Sequence, residues 1–351
     1  MQKPRVLVTF DSMKDTNCGY FSFGKGLGDA LISQNTQRFD LSFYLFKHTA
    51  HQFKGVDRTI YRSVLDNLLF RHRNDFEVVH LSDQTCRLHP AQLRAKKIMT
   101  VHDMNKVHLK FSKPGRIRAY LKKLGAKISK CDHIVAISQF VADDIKSYFP
   151  ESAHKVQVIH NGADKLQPVP GHRPAFEPAA PFIFTIGRLT VQKGFHLLPA
   201  LLQNNQYHLV ISGIETPHKL KIQEMAARFS CQDRVHITGP VSDADKAWYY
   251  QHCSAFAFPS RAEGFGLPAI EAMHFGKPAF LARYTSLPEV GGDAAYYFDN
   301  FEPEHMHQVF TEGMNHFAAT NGPARSKAQA ARFSWERAAA AYLNLYESCL
   351  V

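Results

Sequence analysis

The sequence lacks the features that mark membrane-spanning and secreted proteins. It contains no run of about 18 or more apolar residues, and residues 1–10 lack the charged start and apolar core of a signal peptide. Its six cysteines are scattered without a C-x-x-C pair, which is typical of free thiols in a reducing compartment. We therefore expect a cytoplasmic protein that has neither a membrane span nor a disulfide framework.

Signatures of metal, dinucleotide and nucleic-acid binding are also missing. The 20 histidines show no metal-ligand spacing, and the adjacent His102 and Asp103 point in different directions on a strand or turn. A dinucleotide fingerprint that starts at Gly24 would need a third glycine where Asp29 stands, which disfavours a dehydrogenase. Despite the formal net charge of +11, no aromatic and basic platform is present. We expect neither a bound metal nor a nucleic-acid partner.

Length and patterning instead predict two α/β domains. A chain of 351 residues, 45% of them hydrophobic, is too long for one ordinary core. Short apolar runs alternate with helical stretches, which indicates parallel sheets covered on both faces. The expected strands are Val6–Phe10, Val78–Leu81, Ile98–Val101, Ile134–Ile137, Phe182–Ile186, Leu209–Gly213 and Ala255–Phe258.

A proline-rich segment predicts the domain boundary. Five prolines within residues 167–181 disrupt any regular element. We therefore predict a first domain at 1–167, a linker at 168–181 and a second domain at 182–333, followed by a closing helix at 334–351. A joint of this kind suggests a cleft between the domains that opens and closes.

The most informative segment begins directly after the last predicted strand. Two carboxylates, Glu263 and Glu271, are separated by seven residues that include Gly264, Gly266 and Pro268. The pattern predicts a glycine loop and then a helix that begins near the proline, with Glu271 in its first turn. Bare backbone at a helix N-terminus favours an oxygen-rich anion, and carboxylates accept hydrogen bonds from neighbouring hydroxyls. The combination suits a sugar attached to a nucleoside diphosphate, although Glu271 alone is equally explained as an offset to the helix dipole.

This segment resembles the E-x7-E element of the retaining, nucleotide-sugar-dependent glycosyltransferases of family 4, which have the GT-B fold. Other motifs of that family follow in the expected order over most of residues 100–346. They are a strand-end histidine motif, a serine-bearing segment, an I-x-N-G-x-D segment, a G-R-…-K-G loop, a late strand and a closing helix. The matching segments are Thr100–Asp103, Val135–Ile145, Val158–Asp164, Phe184–Gly194, Val235–Val241 and Phe333–Tyr346.

The resemblance implies an α/β protein of GT-B fold. Two Rossmann-like parallel-sheet domains would face a deep cleft, with the acceptor on the first domain, the donor on the second and a C-terminal helix crossing back to the first. Cationic side chains would replace a metal ion, so neither a metal nor a cofactor is expected. The implied donor-binding residues are Gly187, Arg188, Lys193, Glu263, Gly264, Phe265, Gly266, Leu267 and Glu271, and the implied catalytic residues are His102, Arg188, Lys193 and Glu263.

The resemblance also implies a role for each of these side chains. Arg188 and Lys193 would neutralise the diphosphate as the glycosidic bond breaks. Glu263 would bind hydroxyls of the donor sugar, Glu271 the ribose diol, and His102 the sugar near the reacting carbon. The departing phosphate oxygen would take the acceptor proton on the same face, which retains the configuration of the anomeric carbon.

The resemblance implies sugar transfer to a hydroxyl of a growing glycan or glycolipid. The segment Thr285–Ala294 resembles transferases of cell-envelope polysaccharide and lipopolysaccharide synthesis, so this is the expected role. The donor is expected to be GDP-mannose or a UDP-sugar. Two alternatives stay open at this point, a nucleotide-sugar epimerase of the same fold and a non-catalytic nucleotide-sugar-binding module. Epimer formation or donor hydrolysis without acceptor would indicate the epimerase, and binding without turnover would indicate the module.

The segment after the first strand departs from the family pattern. Gly19 matches the first glycine of the usual β1–α1 turn, but Phe21 occupies the place of the second. We expect Gly24, Gly26 and Gly28 to lie in a longer loop that either replaces this turn or loosens it.

A basic segment, Lys110–Lys130, raises the question of a membrane contact. It carries eight Lys and Arg residues and no acid. With its apolar residues at helical spacing it can form a helix that lies on an anionic leaflet, so the protein is expected to be peripheral on the inner face of the plasma membrane. The equally weighted alternative is that the apolar stripe packs on the first domain and the cations are solvated. The stripe consists of Ile117, Leu121, Leu124 and Ile128.

Overall fold

The chain forms two compact units. The computed structural model describes residues 3–14, 19–109, 113–163 and 165–351. The first unit is Met1–Gly162 together with Phe333–Val351, and the second is Ala163–Arg332. Of the segments interpreted above, Lys110 and Asp164 lie outside the described residues.

The first unit is built on a parallel sheet. Its strands are β1 (Arg5–Thr9), β2 (Asp40–Leu45), β3 (Arg58–Tyr61), β4 (Val78–Leu81), β5 (Lys96–Val101), β6 (His133–Ala136) and β7 (Val156–Val158). In the described part of this unit the seven strands are all parallel, in the order β3-β2-β1-β4-β5-β6-β7. Its α-helices are α1 (Gly19–Gln34), α2 (Asn105–His108), α3 (Pro114–Ile128), α4 (Gln139–Tyr148) and α11 (Trp335–Ser348).

The second unit has the same architecture. Its strands are β8 (Phe182–Ile186), β9 (His208–Ser212), β10 (Val235–Gly239), β11 (Ala255–Phe258), β12 (Ala279–Ala282) and β13 (Tyr296–Phe298). Six parallel strands in its described part follow the order β10-β9-β8-β11-β12-β13. Its α-helices are α5 (Lys219–Arg228), α6 (Asp243–His252), α7 (Leu267–His274), α8 (Leu287–Gly291), α9 (Pro303–Ala319) and α10 (Gly322–Ala330).

The predicted parallel α/β architecture is confirmed. Each of the seven strands predicted from sequence exists, with ends that differ by at most two residues. The predicted closing helix begins at Trp335, where the Ser334 side chain accepts a hydrogen bond from the Arg337 N–H at 3.2 Å. Of the helices described here, none combines the length and apolarity needed to span a bilayer.

Both faces of the first sheet are buried. Val6 and Val8 point into one apolar cluster, which α1 and α11 cover, whereas the intervening Leu7 points into a second cluster on the other face. That second cluster contains Leu124 and Ile128 of α3. This two-sided burial explains why the strands read as continuous apolar runs rather than as alternating ones.

A buried polar network joins α11 to the sheet. His80 on β4 lies with Nδ1 2.7 Å from the Tyr346 hydroxyl and Nε2 2.8 Å from the Thr100 hydroxyl, which in turn lies 2.8 Å from the Tyr342 hydroxyl. The His80 ring stacks on Tyr342 with ring centroids 4.6 Å apart. Burial lowers the pKa of His80 to about 3, so the imidazole is neutral at physiological pH.

The expectation of a glycine-rich loop after β1 is wrong. Gly24, Gly26 and Gly28 lie inside α1, and a Cβ atom at Gly26 or Gly28 would collide with the ring of Trp335 or Phe53, respectively. These glycines therefore allow α1 to approach its neighbours closely. The cost of glycine in a helix is offset here by packing.

The proline-rich segment is anchored on the second unit. His172 pairs with Asp245 at 2.7 Å between Nε2 and Oδ1, and the Tyr249 hydroxyl donates to the Phe176 carbonyl oxygen at 2.6 Å. The Phe176 ring also packs on His236, with ring centroids 4.4 Å apart. The described part of 163–181 thus clusters with this unit rather than standing apart as a separate linker.

Helix α3 uses its apolar stripe for packing. Leu124 and Ile128 are buried in the first unit, and Leu121 is partly buried against them. Lys127, which we expected among the surface cations, is also buried: its ammonium donates to the carbonyl oxygens of Gln84 and Cys86 at 2.9 and 2.7 Å. The remaining described cations of α3 and its flanks are exposed, and they are Lys113, Arg116, Arg118, Lys122, Lys123 and Lys130.

We predict that Lys127→Glu destabilises the first unit and that Lys123→Glu does not. A carboxylate at position 127 would lie against two carbonyl oxygens that lose their donor, at a cost of about 3 kcal/mol or more. Lys123 is exposed on the same helix, so the same charge change there should cost less than about 0.5 kcal/mol. Urea denaturation of both variants measures the difference, and equal stabilities would show that Lys127 is a surface cation.

Candidate functional site

The candidate site of the second unit lies where the connections of its sheet change direction. Strand β8 lies between β9 and β11, so the chain leaves β8 and β11 toward opposite faces of the sheet. In open parallel sheets, ligands bind at such a point, beyond the carboxyl ends of the strands. The two loops here are 187–194, which carries Arg188 and Lys193, and 259–266, which carries Glu263.

Glycines set the path of the first loop. Gly187 has a φ of +151° and Gly213 has a φ of +127°, and a Cβ atom on Gly213 would collide with the Gly187 carbonyl oxygen. The Gly187 N–H donates to the Ser212 carbonyl oxygen at 2.9 Å, which pins the loop to the end of β9. Gly194 has a φ of +70°, and its Cβ position is occupied by the Pro259 carbonyl oxygen. Glycine at 194 thus lets the two loops meet.

The two loops are joined by an ion pair. Lys193 Nζ lies 2.6 Å from Glu263 Oε1, and the two side chains are only 21% and 12% exposed. The same ammonium lies 4.9 Å from the centroid of the Phe258 ring. The Arg261 N–H also donates a hydrogen bond to the Gln192 carbonyl oxygen at 2.9 Å, which joins the same two loops. The fold therefore brings together two charged residues that are 70 positions apart in sequence.

Arg188 contributes a second positive charge to the first loop. Its side chain is exposed, and among the described residues it has no ion-pair partner. Its neighbour Leu189 is fully buried, and the Leu189 N–H donates to the Ile214 carbonyl oxygen at 2.9 Å. The backbone that carries Arg188 is thus fixed while the guanidinium stays accessible to an anion.

Two residues that sequence analysis missed hold the second loop. The Glu263 N–H donates to Thr285 Oγ1 at 3.0 Å. The buried Ser286 hydroxyl lies 3.0 Å from the Glu263 carbonyl oxygen and 2.8 Å from that of Phe265. The pair opens the segment Thr285–Ala294, which resembles transferases of surface-polysaccharide synthesis, but nothing in the sequence assigns these two side chains to the site.

The loop passes directly into α7. Gly266 has a φ of +119°, and the helix begins at the next residue with Pro268 in its first turn, as the sequence predicts. The N-terminal end of this helix carries the positive end of the helix dipole. The positive end of α7 and the Lys193 ammonium therefore both lie along the loop that carries Glu263.

We expected Glu271 in the first turn of α7. It lies one turn further along the helix. Its carboxylate is buried, with Oε1 3.1 Å from Lys246 Nζ and Oε2 accepting from the Tyr250 hydroxyl at 2.8 Å. Burial and the neighbouring carboxylate raise the pKa of Tyr250 far above its ordinary value, so the hydroxyl keeps its proton. The explanation that Glu271 merely offsets the helix dipole is wrong, because the carboxylate instead joins α6 to α7.

His102 lies in the first unit, directly after β5. Its backbone N–H donates to the Gln84 side chain at 2.9 Å, and its Nε2 donates to the Ser82 carbonyl oxygen at 2.9 Å. Burial lowers the pKa of His102, so the ring is neutral and Nδ1 is left as an acceptor. The ring packs between Phe23 and Tyr20, with centroids 4.3 and 4.9 Å away. The imidazole is therefore fixed in one orientation.

Sequence analysis also missed a buried acidic pair near His102. Asp11 follows β1 and Asp83 follows the neighbouring strand β4, and each has one carboxylate oxygen without a hydrogen-bond partner in the described chain. Burial and the charge of Asp83 raise the pKa of Asp11. Each acid is a single residue at a strand end, and only the three-dimensional pairing of β1 with β4 brings them together.

Thiols and metal-ligand types form no further cluster in the described residues. No three His, Cys, Asp or Glu side chains in this part of the chain are grouped as they would be around a metal ion. The described cysteines are buried free thiols, namely Cys86, Cys131, Cys231, Cys253 and Cys349.

Comparisons with known proteins point to one class of enzyme. A family model described as Glycosyltransferase Family 4 matches residues 44–165, and a model described as Glycosyl transferases group 1 matches residues 173–316. The first match falls in the first unit apart from its last three residues, and the second match falls wholly in the second unit.

Individual relatives agree with these matches. The chain is 29% identical over 241 residues to the serotype-specific mannosyltransferase WbdA of Escherichia coli, which covers 63% of this chain and 29% of that protein. It is 27% identical over 271 residues to O-antigen chain mannosyltransferase B of Escherichia coli, which covers 72% and 70% of the two chains. The crystal structure of a glycosyltransferase from Rickettsia africae superposes with a TM-score of 0.75 at 16% identity, over 100% of this chain and 99% of that one.

We predict that Gly194→Ala destabilises the second unit much more than Gly239→Ala. Both glycines have a φ near +70°, so each variant places an alanine in the left-handed region at about 1–2 kcal/mol. A Cβ atom at 239 meets open space, whereas one at 194 meets the Pro259 carbonyl oxygen, which should add about 1–3 kcal/mol. Urea denaturation compares the free energies of unfolding of the two variants. Equal losses of stability would show that the loops do not need this close approach.

Proposed function

Because the chain belongs to the family 4 glycosyltransferases of GT-B fold, we propose that it transfers a sugar from a nucleoside diphosphate donor to a hydroxyl with retention of configuration. The observation that carries this proposal is the ion pair between Lys193 and Glu263 where the connections after β8 and β11 diverge. A cation and a carboxylate side by side match the two halves of such a donor, because the diphosphate is anionic and the sugar presents hydroxyl donors.

The diphosphate half is assigned to the loop that follows β8. The exposed Arg188 guanidinium can bind two phosphate oxygens in a forked geometry, while Lys193 supplies a compact charge. Lys193 already donates to Glu263, but an ammonium has three donors and can bind a phosphate oxygen at the same time. Both cations stabilise the negative charge that grows on the leaving diphosphate.

The sugar and ribose are assigned to the two carboxylates. Glu263, with the backbone of Gly264, Phe265, Gly266 and Leu267, binds hydroxyls of the donor sugar. Glu271 binds the ribose diol with the lone pairs that Lys246 and Tyr250 leave open, since each carboxylate oxygen accepts two bonds.

The chemical step needs no separate base. The bond from the anomeric carbon to the diphosphate oxygen breaks, the acceptor oxygen bonds to the same face of that carbon, and the acceptor proton passes to the departing phosphate oxygen. The neutral His102 ring would accept a hydrogen bond at Nδ1 from a donor-sugar hydroxyl, which positions the reacting carbon. Positive charge on that carbon in the transition state is stabilised by the Glu263 carboxylate.

The names of the relatives point to a mannosyl donor. Both Escherichia coli relatives are described as mannosyltransferases, one of them of the O-antigen chain, so GDP-mannose is the proposed donor and a surface-glycan hydroxyl the proposed acceptor. The chain spans under a third of the length of WbdA, the first of these relatives. A contact between the exposed cations of α3 and anionic lipid would hold the enzyme close to such an acceptor.

We predict that GDP-mannose raises the melting temperature of the protein and that Arg188→Ala largely removes this effect. A donor at about 100 times its dissociation constant stabilises the native state by roughly 2.7 kcal/mol. Loss of Arg188 should also lower turnover by about 100-fold or more, because its charge acts on the leaving diphosphate. A thermal-shift panel of nucleotide sugars and a transfer assay make the two measurements.

Arg228→Ala is the matched control for this test. Arg228 is an exposed arginine of the same unit, at the end of α5 and outside the two loops. The control should respond to GDP-mannose as the wild type does. Stabilisation by a UDP-sugar alone would correct the donor, and an unaltered response in Arg188→Ala would remove Arg188 from the site. Epimerised donor without acceptor would indicate the epimerase instead.

We predict that the two glutamates affect different kinetic constants. The interaction of Glu263 strengthens as charge develops on the anomeric carbon, so Glu263→Gln should lower kcat strongly. Glu271 binds the ribose equally in ground and transition states, so Glu271→Gln should chiefly raise the KM for donor. Steady-state kinetics with varied donor, together with binding of free nucleoside diphosphate, separate the two effects.

Tyr250→Phe distinguishes a ribose contact from a structural role of Glu271. This change removes one hydrogen bond of the Glu271 carboxylate without altering its charge. If Glu271 binds ribose, Tyr250→Phe should keep the KM within a few-fold of wild type while Glu271→Gln raises it by about tenfold, a cost of roughly 1.4 kcal/mol. Equal effects of the two variants would mean that Glu271 only joins α6 to α7.

A further inference from the structure

An exposed apolar turn follows the edge strand of the first sheet. Val64, Leu65, Leu68 and Leu69 are 74%, 58%, 82% and 55% exposed, and Tyr61 at the end of β3 is 52% exposed. The other large apolar side chains that are exposed in the described chain are scattered singly or at its end. An isolated exposed leucine needs no explanation, but a contiguous group of this kind marks an interaction surface.

The turn is held in this orientation by its polar residues. Asp66 is buried, where it accepts from the Tyr44 hydroxyl at 2.8 Å and from the Ser63 N–H at 2.6 Å. Phe70 is also buried, and the Leu69 N–H donates to the Leu65 carbonyl oxygen at 2.9 Å, which closes the turn between them. An ordinary surface turn exposes its acid and buries its leucines. Here the arrangement is reversed, and the leucines are fixed facing solvent.

Arginines flank the turn. Of the four arginines between residues 58 and 73, Arg58 pairs with Asp75 at 3.7 Å, and the one acid of this stretch, Asp66, is buried. Arg71 and Arg73 are exposed directly after the turn. Apolar side chains inside a cationic rim match the interface of an anionic bilayer, where the headgroups carry negative charge and the acyl region accepts leucine.

The turn lies on the sheet face that α3 covers. Phe70 belongs to the same apolar cluster as Leu124 and Ile128 of α3. Residues 84–92 also connect the two, because Lys127 donates to the carbonyl of Gln84 and the Gln92 side chain donates to that of Asn67 at 3.0 Å. The turn and α3 therefore pack against the same face of the first sheet.

We propose that residues 61–69 insert into an anionic lipid surface and so form the apolar part of a membrane-docking face whose basic part is α3. The proposal deepens the lipid contact of α3 given under the proposed function and rests on it for the charged half of the face. It does not depend on the identity of the donor or on turnover. The leucines provide retention through burial of apolar area, and the cations provide attraction over the screening length.

A second copy of the chain fits this surface less well than lipid does. In a twofold dimer the same patch meets itself, so the arginines at its rim would face the arginines of the other copy. Such repulsion opposes a stable dimer, whereas the same rim attracts phosphate headgroups.

Vesicle sedimentation of the full chain tests the proposal. The wild type should bind vesicles of phosphatidylglycerol and phosphatidylcholine at low salt and bind phosphatidylcholine alone weakly. Leu65→Gln with Leu68→Gln should reduce binding at least about tenfold, because two leucines no longer enter the bilayer. The matched control is Leu220→Gln, an equally exposed leucine (70%) on α5 of the second unit, which should bind as the wild type does.

Insertion itself is measured by fluorescence quenching. Tryptophan at position 68, introduced as Leu68→Trp, should be quenched by brominated acyl chains, whereas Leu220→Trp should not. Lys122→Glu with Lys123→Glu should remove most of the salt-sensitive attraction but leave the quenching of the molecules that still bind. This arm separates the apolar contact from the electrostatic contact of α3.

Three outcomes would overturn the proposal. Unchanged vesicle binding by the doubly substituted leucine variant would place the contact elsewhere. Quenching at 220 in place of 68 would assign insertion to the second unit. Self-association of the wild type without lipid, lost in Leu65→Gln with Leu68→Gln, would identify a dimer surface. Donor and acceptor are absent from all these assays, so a failure of the transferase assignment leaves their result unaffected.

Discussion

The pairing of β8 with β11 is the constraint on which the donor-side arrangement depends. Phe184 pairs with Phe256 in a parallel register, so the two strands end at the same edge of the sheet. Because the connections after them leave toward opposite faces, only their first few residues lie side by side. Lys193 and Glu263 form an ion pair between these connections, and the absence of a side chain at Gly194 lets the two loops meet. A change in this strand pairing would separate the two charges.

Local features of the sequence predicted much of the fold. Apolar runs such as Phe182–Ile186 and Ala255–Phe258 coincide with the observed strands because a strand covered on both faces must be apolar throughout. The start of α7 was predicted from Pro268 and Gly266, which carry their conformational preference wherever they stand. Glu263 was found from its place in the glycine loop after a buried strand, whereas Arg188 and Lys193 were implied by the family resemblance. The pairing of Lys193 with Glu263 could not be predicted from spacing alone.

Features decided by contacts distant in sequence were missed. Lys127 has the pattern of a surface cation, and only the carbonyl groups of residues 84 and 86 bring it inside. Gly26 looked like part of a loop, because the ring of Trp335 that requires a small residue there is about three hundred positions away. The sequence analysis made no prediction for the leucines near residue 65, because only the burial of Asp66 against Tyr44 turns them outward. In each case, the deciding partner is set by tertiary structure.

The position of α11 has a consequence for the order of folding during synthesis. Tyr342 and Tyr346 complete the polar network around His80, so the first unit needs residues that are made after the whole second unit. The second unit is one continuous stretch and can fold as it leaves the ribosome, because domains fold as units during synthesis. Residues 1–162 are made earlier, and the apolar face that α11 covers stays exposed to solvent until α11 has been synthesised. Truncation within the last twenty residues would therefore impair the part of the protein made first.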